Sequence, residues 1–123
     1  MHSSRLAGFI IDCQDADLDA AATFWSAALG LARCGSDGDA YERLDGTSRD
    51  MAIEVQSVPH PSRVHLDIET DDVEAEADRI EKLGAKRVQR YPNWWVMEAP
   101  TGQRFCIVRA RKPLAGLPGT STW

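Results

Sequence analysis

The chain has 123 residues, of which 43% are hydrophobic and 27% charged, and its formal net charge is −5 at pH 7. A chain of this length is expected to form one domain with its own core. The basic residues form no long run that could follow a phosphate backbone, which argues against a nucleic-acid partner. No apolar segment is long enough to cross a bilayer, so a membrane location is not expected.

The cysteine content indicates a reducing compartment. Cys13, Cys34 and Cys106 are an odd set without paired spacing, so the sequence does not predict a disulfide framework. The N-terminal residues do not have the pattern of a secretory signal peptide. A cytoplasmic location is therefore predicted.

The first half of the chain predicts a strand, a helix and three further strands. The first strand runs from about Arg5 to Cys13, and Asp15-Ala16-Asp17 then offers helix N-caps. Gly30 is a natural left-handed C-cap for the helix. Three strands are predicted at 31–34, 40–44 and 51–58, with turns at 35–38 and 45–48 between them. The apolar stripe that predicts the helix consists of Leu18, Ala21, Ala22, Trp25 and Leu29.

The second half repeats this order after Pro59-His60-Pro61. A strand is predicted at 63–69, and Asp71 with Glu74 has the spacing of a capping box. Gly84 is predicted to end the helix that follows, and strands are expected at 86–90, 93–99 and 104–109. The tail at 110–123 has no periodicity and is predicted to be irregular, with Trp123 docked on a surface. The second helical stripe consists of Val73, Ala77, Ile80 and Leu83.

Equal spacing of matching segments indicates an internal duplication. Leu29-Gly30 and Leu83-Gly84 are 54 residues apart, and Ile10-Ile11-Asp12 and His65-Leu66-Asp67 are 55 apart. The sequence therefore predicts an α+β fold of two tandem βαβββ modules. Module one covers about 5–58 and module two about 63–109, within a single domain of residues 1–123.

Several motifs occur in the order that a known family has. Phe24-Trp25 precedes Leu29-Gly30 in the first helix. The second module carries Arg63-Val64-His65-Leu66-Asp67-Ile68, Asp71-Asp72-Val73, Leu83-Gly84-Ala85 and Ala99-Pro100-Thr101-Gly102-Gln103. With these motifs, residues 5 to 109 resemble the vicinal oxygen chelate superfamily, which includes glyoxalases, bleomycin-resistance proteins and extradiol dioxygenases. Within it, the chain is most similar to the small bacterial glyoxalase-like proteins.

The resemblance implies a glyoxalase-like open barrel cleft, a homodimer and a divalent metal such as zinc, nickel, manganese or iron. In metal-dependent members, each module supplies ligands from its first and last strands. His65 lies at the first-strand ligand position of module two, whereas its counterpart in module one is Ile10, which cannot bind a metal. The last strands offer Glu54 or Gln56 in module one and Cys106 in module two.

The predicted metal ligands are therefore His65, Glu54 and Cys106, with Glu54 and His65 also the candidate catalytic residues. Imidazole, carboxylate and thiolate are all ligands of zinc. Each residue also has a structural interpretation. His65 can hydrogen-bond to Asp67 or to a backbone carbonyl, Glu54 can pair with an arginine across strands, and Cys106 can be a small buried hydrophobe.

Two adjacent tryptophans complete the predicted site. Because Trp94 and Trp95 are neighbours on a strand, their side chains point to opposite faces. One of them is expected to form an aromatic ligand wall together with Gln56, and the alternative for both is ordinary packing.

Three functions follow from these expectations. The first is a metal-assisted lyase, isomerase or dioxygenase that acts on a small oxygenated or aromatic metabolite. The second is a metal-free protein that binds and sequesters a small molecule, such as a drug or antibiotic. The third is a domain that serves only for association. The fold alone does not choose between them, because one fold supports unrelated chemistries.

Overall fold

In a computed structural model, which describes residues 1–36, 38–46 and 50–123, the protein has the predicted mixed α+β fold. The chain divides into two compact units, Gly8–His65 and the combination of Met1–Ala7 with Leu66–Trp123. The element order contains βαβββ twice, as predicted, and the boundaries between the units fall within β1 and β5. The turns predicted at 35–38 and 45–48 include residues outside the described ranges.

The Gly8–His65 unit is built on the strand order β2-β3-β4-β1. Strands β1 and β4 are parallel, whereas β3 pairs with β4 and β2 with β3 in the antiparallel sense. A parallel pair requires a long crossover, and α1 lies within it. The elements are β1 (Ser3–Gln14), α1 (Leu18–Leu29), β2 (Arg33–Ser36), β3 (Tyr41–Leu44) and β4 (Ala52–Val58).

Helix α1 begins and ends at the residues that the sequence predicts. The Asp17 carboxylate accepts a hydrogen bond from the Ala20 amide at 3.1 Å, which satisfies one of the free amides of the first turn. Gly30 has a φ of 68°, the left-handed conformation of a C-cap. The helix packs against β3 and β4 and buries Ala22 completely.

The pairing of β1 with β4 depends on a glycine. A Cβ atom at Gly8 would lie 1.7 Å from the carbonyl oxygen of its register partner, Ala52. Such a contact is sterically impossible, so only glycine allows this close approach of the two strands. From this point the register places Ile10 beside Glu54, and Asp12 beside Gln56.

The second unit has the strand order β1-β5-β8-β7-β6, with β9 paired to β1. Its core contains Val73, Ala77, Ala85, Met97 and Ile107. Neither helix in the described part of the chain is long and apolar enough to cross a membrane. The further elements are β5 (Arg63–Thr70), α2 (Val73–Lys82), β6 (Lys86–Tyr91), β7 (Trp94–Glu98), β8 (Arg104–Arg109) and β9 (Ser121–Thr122).

The capping box predicted from Asp71 and Glu74 is wrong. Asp72 is the N-cap of α2, and its carboxylate accepts a hydrogen bond from the Ala75 amide at 3.0 Å. Asp71 instead accepts a hydrogen bond from the backbone amide of Ser3 at 2.9 Å. Two consecutive aspartates offered the same cap, and the contact with β1 decides between them.

The C-terminal tail is more ordered than predicted. Ser121 and Thr122 form β9, which pairs with Ser4 and Ser3 of β1 in the antiparallel sense. The Trp123 indole N–H donates to the Ser4 hydroxyl at 3.0 Å, and the Arg79 guanidinium lies 3.8 Å from the ring centre of Trp123. The predicted docking of Trp123 is thus confirmed, and the prediction of a wholly irregular tail is wrong.

A buried carboxylate connects this terminal region to α2. The Glu76 side chain is 0% exposed. Its Oε2 accepts a hydrogen bond from His2 Nε2 at 2.7 Å, and Arg79 Nε donates to its Oε1 at 3.0 Å. Because burial of a charge without partners is costly, these two contacts make the location of Glu76 tolerable.

We expect Glu76→Ala to lower the free energy of unfolding by about 3 kcal/mol, because it leaves Arg79 and His2 without their acceptor. Glu81→Ala, at an exposed position on the same helix, should cost no more than about 0.5 kcal/mol. Urea denaturation followed by circular dichroism measures both values. Equal losses in the two variants would contradict the role assigned to Glu76.

Candidate functional site

A hydrogen-bonded aspartate and histidine form the centre of the candidate site in the Gly8–His65 unit. Asp12 Oδ2 lies 2.8 Å from His65 Nδ1, and the two side chains are 1% and 10% exposed. An ionised carboxylate only accepts hydrogen bonds, so His65 carries its proton on Nδ1. In the neutral ring the lone pair is then on Nε2, the atom that would take a proton or bind a metal.

Two more basic groups approach the same carboxylate oxygen. His60 Nε2 lies 3.8 Å and Arg63 Nε 3.7 Å from Asp12 Oδ2. His60 is held by its contact with the Pro61 carbonyl, where Nδ1 and the oxygen are 2.9 Å apart. Asp12 Oδ1, in contrast, is buried and has no hydrogen-bond partner among the described residues. Such an orphaned acceptor is unusual in a folded protein and requires an explanation.

Two rows of cross-strand neighbours extend the site along the sheet. The register aligns Asp12 with Gln56 and Gln56 with Tyr41, and the Gln56 amide donates to the Tyr41 hydroxyl at 2.8 Å. The other row aligns Ile10 and Arg43 with Glu54. Residues in register on adjacent strands share a face. These side chains therefore form one surface with hydrogen-bonding groups at one end and a fully buried Ile10 at the other.

Three of the site residues predicted from the sequence lie in this unit. His65, Glu54 and Gln56 are all partly buried, and the last two lie side by side in the rows just described. The structural interpretation of Glu54, an arginine neighbour across strands, agrees with its register partner Arg43. The catalytic and metal-binding roles of Glu54 and His65 stay predictions.

Cys106 belongs to the other unit. It lies on β8 between Phe105 and Ile107, is partly buried, and has Val96 and Asp67 as its register partners. Its role as a metal ligand stays a prediction.

The predicted aromatic wall also lies in the second unit. Trp95 packs against the core beneath α2, and its indole N–H donates to Glu74 Oε1 at 2.8 Å. Trp94 stacks on Tyr91 with ring centres 4.7 Å apart. Both tryptophans thus make structural contacts, and their role in a ligand pocket stays a prediction.

The Trp95 contact changes the acidity of a carboxyl group. The indole hydrogen bond is the main cause that lowers the pKa of Glu74, and the hydrogen bond from Arg87 Nη1 at 2.9 Å lowers the pKa further. The folded protein therefore favours the ionised form of Glu74.

Sequence reasoning missed Asp12, His60 and Arg63. A signal for Asp12 was present, since a residue two positions after Ile10 shares its side of the strand. The predicted repeat also aligned Asp12 with Asp67, so the spacing already placed a carboxylate two positions after Ile10. His60 and Arg63 gave no periodic signal, because the prolines at 59 and 61 interrupt the pattern.

The doubled βαβββ element order identifies the fold class of the chain. The model of the family described as glyoxalase-like domain matches residues 8–108. The chain belongs to this family. None of the curated proteins matches the sequence significantly.

Solved structures of several proteins have a similar fold. A glyoxalase/bleomycin resistance protein/dioxygenase superfamily member from Vibrio splendidus is 14% identical, with a TM-score of 0.58 over 87% of this chain and 99% of that one. Methylmalonyl-CoA epimerase from Streptomyces coelicolor is 18% identical, with a TM-score of 0.59 over 88% and 98%. The Mn(II)-bound glyoxalase from Novosphingobium aromaticivorans is 19% identical, with a TM-score of 0.56 over 92% and 44%. Identities this low establish the fold alone.

The lowered pKa of Glu74 predicts a pH-dependent contribution to stability. A carboxyl group whose pKa is lower in the folded state stabilises fully above its unfolded pKa, about 4.3, and loses this effect as the pH falls through the folded value. The stability difference between the wild type and Glu74→Gln should therefore shrink between pH 6 and pH 3. Urea denaturation at each pH measures it.

Trp95→Phe provides the matched test of the cause. In this background the main hydrogen bond is absent, so the pH-dependent part of the Glu74→Gln effect should become smaller. A Glu74→Gln effect that is constant with pH in the wild type would contradict the assignment.

Proposed function

We propose that this protein catalyses a proton transfer on a small oxygenated metabolite, as an isomerase or lyase, with His65 as the general base. The observation that carries the proposal is the 2.8 Å hydrogen bond between His65 Nδ1 and the buried Asp12 carboxylate. A carboxylate in this position fixes the tautomer and the orientation of the imidazole, and it stabilises the imidazolium that forms. Asp12 is then a positioning residue, because it acts through His65.

The chemistry begins with a C–H bond next to a substrate carbonyl. His65 Nε2 takes the proton, and the electron pair of the broken bond moves toward the carbonyl oxygen, which becomes an enolate. An isomerase returns the proton to the other face or to the neighbouring carbon, whereas a lyase expels a leaving group from the β-carbon. The Gln56 amide carries two protons, one of which goes to Tyr41, and the other suits an oxyanion.

The donor set of the Gly8–His65 unit does not by itself fit a closed metal centre. It offers His65 and Glu54, while Asp12 is hydrogen-bonded to His65, Ile10 supplies no ligand and Arg43 adds a positive charge beside Glu54. Catalytic zinc sites normally have three protein ligands. The third ligand predicted from the sequence, Cys106, lies in the other unit. No step of the proposed reaction passes through a metal, and binding of zinc, nickel, manganese or iron remains a separate proposal.

A second candidate is a binding protein that performs no chemistry. The buried, apolar Ile10 favours it, because Ile10 removes one polar group from the row that contains Glu54. An aromatic or apolar ligand would suit such a surface, and Gln56, Trp94 and Trp95 were predicted to contact it. The homodimer also stays a proposal, which rests on the family resemblance, and so does the cytoplasmic location, which rests on the unpaired cysteines.

Deuterium exchange tests the catalytic proposal. Representative 2-oxo acids, α-hydroxy ketones and acyl thioesters are incubated with the protein in D₂O, and NMR detects exchange next to the carbonyl. We expect exchange with at least one class, and a loss of about 10²- to 10⁴-fold in His65→Gln, the contribution of a general base. Asp12→Asn should lower the rate and shift its pH profile, since it alters the proton on His65.

His2→Gln is the matched control, because His2 contacts Glu76 in the other unit rather than Asp12. It should keep the wild-type exchange rate as long as the protein stays folded. Full exchange in His65→Gln would exclude the proposed base. Saturable quenching of tryptophan fluorescence by these compounds without any exchange would favour the binding protein.

Thermal unfolding with added zinc, nickel, manganese and iron tests the metal proposal separately. A metal that binds the native state raises the unfolding temperature as its concentration increases. If His65 and Glu54 are ligands, His65→Gln and Glu54→Gln should each abolish this rise. A rise that survives in both variants, or no rise with any metal, would contradict the predicted ligand set.

A further inference from the structure

The charges of this chain are unevenly distributed. The protein has a net charge of −5, yet residues 99–123 contain no aspartate or glutamate. The basic residues of that segment are Arg104, Arg109, Arg111 and Lys112. Three of them fall within four positions, at the point where β8 ends. A locally basic surface on an acidic protein attracts anions that the rest of the molecule repels.

These three residues line a surface cavity in the second unit. The cavity has a volume of about 240 Å³. This space is sufficient for a phosphate group and part of the molecule that carries it. Its walls are Asp71, Arg109, Ala110, Arg111, Lys112 and Pro113.

The carboxylate at the cavity does not neutralise Arg109 or Lys112. Asp71 Oδ1 accepts a hydrogen bond from the Ser3 amide at 2.9 Å. Arg109 Nη1 makes a long contact of 3.4 Å with the backbone oxygen of Asp71, not with its carboxylate. Within residues 1–36, 38–46 and 50–123, no carboxylate forms an ion pair with Arg109 or with Lys112.

Arg104 of the same strand behaves differently. Its Nε lies 3.1 Å from Glu98 Oε1 on the neighbouring strand β7, so its charge is compensated. Arg104 and Arg109 thus differ in charge compensation although both lie on β8.

We propose that this cavity binds a phosphate group, either as free phosphate or as a phosphate ester of a small metabolite. Arg109 and Lys112 are two cations without a carboxylate partner among the described residues, and their two charges match a dianionic phosphate. The planar guanidinium of Arg109 can offer paired N–H donors to two phosphate oxygens, and Lys112 adds a point charge. A nucleic-acid strand is a poorer fit, because the net charge of the whole protein opposes a long polyanion. This site goes beyond the proton transfer proposed for His65 and does not depend on it.

NMR titration with inorganic phosphate and with glycerol phosphate tests the site on the full-length protein at low salt. We expect saturable shifts of the amide signals of Ala110, Arg111 and Lys112 with at least one of the two. Preference for one distinguishes free phosphate from an ester. Affinity should fall as sodium chloride is added, because the contacts are ionic.

Two variants and one control localise the binding. Arg109→Gln should weaken phosphate binding about tenfold, the effect of one charge-assisted hydrogen bond. Lys112→Gln, at an exposed position, should weaken binding without affecting folding. Arg104→Gln removes the same charge from β8 but should leave affinity nearly unchanged.

Several results would overturn the proposal. One is the absence of saturable shifts with either compound, and another is an equal loss of affinity in Arg104→Gln. Tighter binding of a short DNA duplex than of phosphate would replace the small ligand with a nucleic acid. Circular dichroism of each variant separates a lost site from a lost fold.

Discussion

The burial of the Asp12 carboxylate is the constraint on which the candidate site depends. A charged group removed from water costs several kcal/mol unless its surroundings compensate. Here the compensation comes from His65 at 2.8 Å, with the Arg63 guanidinium 3.7 Å from the same oxygen. The side chain of His65 is thus held in place because the buried Asp12 carboxylate requires a hydrogen-bond donor. In turn, the parallel register of β1 and β4, permitted by Gly8, places Gln56 beside Asp12.

A second buried carboxylate shows why this arrangement suggests chemistry. Glu76 is also buried and also accepts from a histidine, but contacts from His2 and Arg79 satisfy both of its oxygens. Asp12 Oδ1 has no such partner among the residues that the structure describes. A fully satisfied buried charge is explained by stability alone, whereas an unsatisfied acceptor is a feature that stability does not favour. The Glu76 and Asp12 sites thus contain similar residues, but only at Asp12 does the carboxylate keep an oxygen without a hydrogen-bond partner among the described residues.

The sequence predicts the order of the elements well, because each is encoded locally. The stripes of both helices, the cap at Asp17 and the left-handed Gly30 need no information from distant residues. Predictions failed where a contact with a distant residue determines the local structure. Ser3 of β1 binds the Asp71 carboxylate, so Asp72 caps α2 instead. Strand β1 also pairs with residues of the tail, which form β9. For the site, His65 was identifiable from its motif. Its pairing with Asp12, 53 positions away, depends on strand proximity that periodicity does not encode.

The difference between the modules also bears on which chemistry the site can support. Ile10 stands where a second histidine would be expected, and Arg43 lies in the same row across Glu54. Arg43 Nε is buried without an acceptor among the described residues, so this surface already carries a cation that lacks full compensation. Arg43 by itself opposes a metal ion nearby and attracts an anion, whereas the Glu54 carboxylate beside it has the opposite effect. In the reaction that we propose, an oxyanion would form when the His65 imidazole takes a proton from carbon. The apolar Ile10 and the charge of Arg43 therefore count against a metal site built from this row alone, and both are compatible with the proton transfer that we propose.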